Sequence, residues 1–113
     1  MTGNVDFATV REIGLALPGV RDGTTRRGFA LKLRGKLLAC KAIHRSAEAN
    51  SLMVRVGFDD RARLLAASPD VYYVTEHYSS YPAVLARLSV IDPGALRELL
   101  ATACQFVSGQ GAN

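Results

Sequence analysis

The chain has 113 residues and a mass of 12.1 kDa, with 49% apolar and 21% charged residues. That composition suits one folded domain, residues 1–113, with enough apolar surface for a core, and it excludes a disordered or collagen-like chain. The net charge is +4 and the pI about 9.4, with the excess concentrated in residues 21–45: eight basic residues there face Asp22 alone, while the remainder is net −3.

Asp6 is placed to cap a first helix, its carboxylate accepting from the first-turn amides. Val5 and Val10 have the spacing of a hydrophobic staple, and Phe7, Val10, Ile13 and Leu17 form an apolar stripe at helical period. Pro18-Gly19 ends this helix, and residues 20–28, polar and Gly-rich, read as a loop. From Phe29 the period becomes two: Phe29, Leu31 and Leu33 alternate with Ala30, Lys32 and Arg34, a half-buried strand. Arg34-Gly35-Lys36 fits a tight hairpin turn with Gly35 at positive φ. The second strand, 37–43, is more uniformly apolar and so central, with His44 at its end, and Leu52, Val54 and Val56 mark a third.

Asp59 or Asp60 is expected to cap a helix over 61–67 that ends at Ser68-Pro69. Residues 71–75 and 81–88 read as two more strands, with Pro82 at a start or an edge because it cannot donate to a ladder. Asp92 as cap, Pro93 at the first helical position and an Ile91–Leu96 staple open the last helix. Leu96, Leu99, Leu100, Ala103, Phe106 and Val107 make one apolar face, and 108–113 read as a frayed tail. The expected fold is α+β in two layers, α-β-β-β-α-β-β-α, with an antiparallel sheet packed against the N- and C-terminal helices.

Two constellations stand out. The first is basic: Arg26, Arg27, Lys32, Arg34, Lys36, Lys41 and Arg45, with Lys32 and Arg34 read as sharing the outward face of one strand. A β-hairpin so charged can lie along DNA and neutralise phosphates without reading sequence, or meet an acidic protein or ligand. The same charges also suit a solvated sheet face that resists edge-to-edge pairing, and few aromatics interleave with them to stack bases. The second constellation holds all four tyrosines within ten positions: Tyr72, Tyr73, Glu76, His77, Tyr78 and Tyr81. Rings with polar tips suit a pocket wall or interface, with Tyr73, Glu76, His77, Tyr78 and Tyr81 as the candidate ligand- or partner-binding set. They equally suit a turn packed over the sheet, and Glu76 and His77 could act as an acid–base pair only if a loop brings them to one side.

Enzyme signatures are missing. There is no Gly-rich phosphate loop and no nucleophile elbow, Cys40 and Cys104 lack zinc or redox spacing and read as buried free thiols, and two histidines give no metal motif. The expectation is a protein with no catalytic residue, no cofactor and no metal. With no leader-like start and no apolar run near about 18 residues, the expected setting is the cytoplasm, away from membranes, as a monomer or weak homodimer.

Leu17-Pro18-Gly19, then Phe58-Asp59-Asp60-Arg61 before a Leu-Leu helix, then Thr75-Glu76-His77-Tyr78, Tyr81-Pro82, Val84-Leu85 and Arg87-Leu88 before Asp92-Pro93 resemble the MmcQ/YjbR family of small bacterial proteins. The resemblance spans nearly all of residues 7–107 and is more specific in its second half. It implies a two-layer fold of the secretion-chaperone type and a DNA-binding label that carries no catalytic mechanism.

Overall fold

Helix α1 (Phe7–Leu15) starts at the expected cap: Asp6 Oδ1 accepts from the Thr9 backbone N–H and from the Thr9 hydroxyl, both at 2.8 Å. In this computed structural model, which describes residues 5–110, Val5 and Val10 are both buried and close the staple. The helix ends ahead of Pro18, and Gly19 turns the chain at φ 80°.

One antiparallel sheet of six strands follows, in the order β1-β2-β3-β4-β6-β5. Its members are β1 (Val20–Asp22), β2 (Ala30–Leu33), β3 (Lys36–Lys41), β4 (Ser51–Arg55), β5 (Tyr72–Tyr73) and β6 (Ala83–Arg87). Between β4 and β5 lies α2 (Phe58–Ala67), between β5 and β6 the single turn α3 (Glu76–Ser79), and after β6 the long α4 (Pro93–Gln110). The architecture is the expected α+β sheet with N- and C-terminal helices, and the apolar β3 is central.

Both residues of the β2–β3 turn take positive φ, Arg34 at 54° and Gly35 at 80°, the handedness that matches strand twist in a two-residue hairpin. Leu31 pairs with Ala39 but Lys32 with Leu37, so Leu38 is the extra residue of a bulge. Leu38 and Ala39 are therefore both fully buried in succession, while Leu37 and Cys40 fall on the opposite face. The inner face, with Leu31, Leu38, Ala39, Leu52, Val54 and Val84, packs under Leu96, Leu99, Leu100 and Ala103 of α4 and Val10 of α1. Each Leu so buried contributes about 1.5–3 kcal/mol. Asp92 caps α4 as expected, Oδ1 accepting from the Ala95 N–H at 2.8 Å, and Ile91 and Leu96 are both buried beside it.

Several expectations need correction. Residues 20–22, read as loop, form edge strand β1, whose register pairs Val20 with Leu33 and Asp22 with Leu31. Only Val20 of its three residues is buried, so it shows no alternation to recognise. Arg34 lies in the turn and does not share a strand face with Lys32. Helix α2 begins at Phe58 with Gly57 in the cap position and no side-chain cap; Asp59 and Asp60 sit in the first turn, where they favour the helix dipole, and Asp60 pairs with Arg63. The last strand starts at Ala83, just beyond Pro82, whose carbonyl accepts from Val56 N–H at 3.1 Å. Residues 108–110, expected in the tail, continue α4, and 111–113 lie outside the described residues.

Gly14 is buried where α1 crosses the sheet, and a Cβ there would land on Leu31 Cδ1. Leu31 is fully buried and has no room to retreat. Gly14→Ala should therefore destabilise the fold by about 1–3 kcal/mol in urea unfolding, despite alanine's better helix propensity. A stability equal to or above that of the parent would show that α1 stands off the sheet.

Candidate functional site

The sheet face turned away from α1 and α4 carries Lys32 on β2, Leu37 and Cys40 on β3, and Met53 on β4. Two clefts meet there. The larger, about 660 Å³, has Leu37, Met53 and Ala83 as its floor, His77, Tyr78, Tyr81 and Pro82 as its rim, and Arg27 and Arg55 for charge. The second, about 440 Å³, shares Arg27, Leu37 and Tyr78 with the first and runs on along β2 and β3 to Lys32, Cys40, Lys41 and Ile43. They form one groove, and it joins the basic and the tyrosine constellations that lie far apart in sequence.

The rim is held by a guanidinium. Arg61 of α2 donates from Nη1 to the Tyr81 and Ala83 carbonyls at 3.0 and 3.2 Å, and from Nη2 to the Ser79 carbonyl at 3.0 Å. Its planar fork ties together three carbonyls of this irregular segment, of which Tyr81's also accepts from the Ala83 N–H at 2.8 Å, and its own face lies 4.8 Å from the centre of the Phe58 ring. Tyr81, more than half exposed at 54%, is thus an aromatic ring on an anchored backbone.

Behind the rim, His44 and His77 stack with ring centres 3.5 Å apart and planes 6° from parallel. The Tyr78 ring meets both edge-on, and its hydroxyl accepts from the His44 N–H at 3.4 Å. Ser46 N–H donates to His44 Nδ1 at 3.1 Å; since a backbone amide only donates, the neutral ring carries its proton on Nε2. Ser46 Oγ lies 2.8 Å from both His44 Nδ1 and Thr75 Oγ1. Burial, then the neighbouring His77 and Arg45, push the His44 pKa below its ordinary value. His44, read from sequence as a mere strand end, is the residue missed; its partner Tyr78 is 34 positions away, and nothing local in the sequence announces the contact.

The remaining candidates distribute as follows. Arg27 and Lys32 line the groove; Lys41 borders its end but pairs with the inward Leu52, and its ammonium turns to the α1 side, 5.9 Å from the centre of the Phe7 ring. Arg34 borders a different cleft beside Leu17 and Pro18, and Arg26, Lys36 and Arg45 are exposed outside the groove. Tyr73 serves as an anchor: its hydroxyl accepts from the Glu48 N–H at 2.8 Å and bonds the buried Ser51 hydroxyl, while Arg87 lies 4.4 Å over its ring. Arg87 grips both Glu48 oxygens at 2.9 Å and the Pro69 and Asp70 carbonyls at 3.1 Å, which lowers the Glu48 pKa. Glu76 is exposed on α3, and among the described residues no hydrogen bond joins it to His77. Cys40 and Cys104 are free and half-buried, their pKa values raised by that burial. No group of three or more His, Cys, Asp or Glu among the described residues is arranged to hold a metal ion. Likewise no described helix is long and apolar enough to cross a membrane.

The depressed pKa of His44 makes stability depend on pH in a defined direction. Between the ordinary histidine value of about 6.5 and the lower folded value, the unfolded chain binds more protons, so stability falls as pH drops through that window and is complete above it. NMR titration of the His44 ring should read a pKa below the ordinary value, moving upward in His77→Ala. A value at or above the ordinary one would mean that His44 is not buried beside His77 in solution.

No family model matches the chain. A segment of 40 residues is 48% identical to uncharacterised proteins of Mycobacterium bovis and Mycobacterium tuberculosis, covering 35% of this chain and 31% of theirs, so the match spans about a third of the length of those relatives. In three dimensions the chain is similar to the Deinococcus radiodurans protein DR2400, a DUF419 domain, with a TM-score of 0.74 and 18% identity over 97% of this chain and 83% of that one. The likeness shows that the two share a fold.

Proposed function

We propose that this is a non-enzymatic binding protein of the MmcQ/YjbR type that holds the phosphates of nucleic acid, without reading sequence, through the basic side chains of residues 26–45. One observation carries the reading. None of Arg26, Arg27, Lys32, Arg34, Lys36, Lys41 and Arg45 makes an ion pair among the described residues, and the acid just before them, Asp22, is taken by Arg11 of α1 at 2.6 Å. Arg11 holds the Asp22 carboxyl well below its usual range, so that acid stays engaged instead of neutralising the hairpin. Unpaired cations release phosphate counterions on binding, which is the main source of non-specific affinity for nucleic acid. The fold shared with a DUF419 protein supports the family resemblance.

The groove favours a second reading, in which a small ligand or protein segment sits on Leu37 and Met53 against Tyr78 and Tyr81. The two separate in one titration. Anisotropy of a labelled duplex at several salt concentrations should give a log–log slope of about −0.9 per phosphate contact, and Lys32→Glu with Arg34→Glu should abolish the binding. No binding at low salt, or binding indifferent to that pair of changes, would remove the nucleic-acid reading and leave the groove ligand.

A further inference from the structure

We infer that the groove is a site for single-stranded nucleic acid, with phosphates along Arg27 and Lys32 and an unstacked base on Tyr81; this deepens the nucleic-acid reading and rests on it. The groove crosses β2, β3, β4 and β6, three inter-strand steps of about 4.8 Å each, or about 14 Å. An unstacked single strand spaces its phosphates more widely than the roughly 3.4 Å per strand of the stacked duplex, so that length holds fewer than about four nucleotides.

Charge and rings adjoin along the groove. Lys32 lies toward the β2–β3 end, Arg27 lines both clefts, and Tyr81 with Tyr78 and His77 forms the wall at the β6 end. A backbone-tracking cationic strip beside an aromatic platform is the arrangement that holds single strands, since every base offers a π-face. A duplex keeps its base faces stacked inside and would leave Tyr81 unused. The exposure of Tyr81 on a backbone pinned by Arg61 fits such a platform, because little side-chain or loop entropy is lost when a base settles on it. Leu37 and Met53 give the floor an apolar surface for the base edge to cover. The His44–His77 stack braces the wall from behind.

Anisotropy with a labelled oligo-dT of about ten nucleotides, beside a duplex of equal length, tests the inference against the intact chain. The single strand should bind more tightly, with a salt slope of about −1.4 from two cations at roughly −0.7 each. Tyr81→Ala should weaken oligo-dT binding by roughly 5- to 150-fold and leave duplex binding unchanged, while Tyr81→Phe retains it. Tyr81 is exposed, so both variants keep the fold. If the duplex binds as well as the single strand and Tyr81→Ala changes neither, the groove inference is overturned and the basic-hairpin reading stands. Binding of neither probe at low salt overturns both.

Discussion

A six-stranded sheet that gives one face to two helices must dispose of the other face in a different way. Here α4 and α1 take the inner face, where Leu31, Leu38, Leu52, Val54 and Val84 are fully buried. The bulge at Leu38 sharpens the division, since it turns two successive apolar residues inward and leaves Leu37 to the outer side. What remains on the outer side of β2, β3 and β4 is a mixture of half-buried apolar and charged residues. That mixture is the groove. Its position follows from how the core is satisfied, because any residue that packs under α4 cannot also face outward.

The groove's walls depend on arginines that are not part of its lining. Arg61 fixes the backbone on either side of Tyr81, and Arg87 fixes the loop that carries His44 by holding Glu48, with Tyr73 beneath it. Irregular segments carry carbonyls that no strand or helix satisfies, and a guanidinium can answer several of them from one side chain. The Arg87–Glu48 pair is partly exposed, so its Coulomb energy is modest; its main effect is geometric, setting where residues 44–50 lie relative to β6. A lysine at either position would keep the charge and lose the fork.

The legible parts of the sequence are those governed by local rules. Asp6 and Asp92-Pro93 announce helix starts because capping is decided within four residues, and the alternation from Phe29 to Leu33 marks a strand because one face is buried. Strand β1 escaped because three residues at a sheet edge need no alternation, and their pairing to β2 is a tertiary event. Helix α3 escaped because a single turn is too short to show a period. The acids at 59 and 60 misled for a related reason: an acid near a helix start is favourable either as a cap or in the first turn, and composition does not separate the two. The site was legible as two lists of residues and not as one place.

What unites the lists is the return path of the chain. The sheet order sets β6 between β4 and β5, so the segment entering β6, with Tyr78 and Tyr81, arrives beside β4 and opposite the Arg27 loop that precedes β2. Read along the sequence, the basic segment holds Phe29 alone among Phe, Trp and Tyr; read in space, it has the tyrosines across the groove. The histidine stack adds a restraint on charge. Burial, the adjacent ring and Arg45 all favour a neutral His44, so near neutral pH that ring adds no positive charge behind the wall. Arg27 stands where the two clefts meet, with Lys32 toward β2 and the aromatic wall toward β6, so a single groove presents cation and ring side by side because β6 returns next to β4.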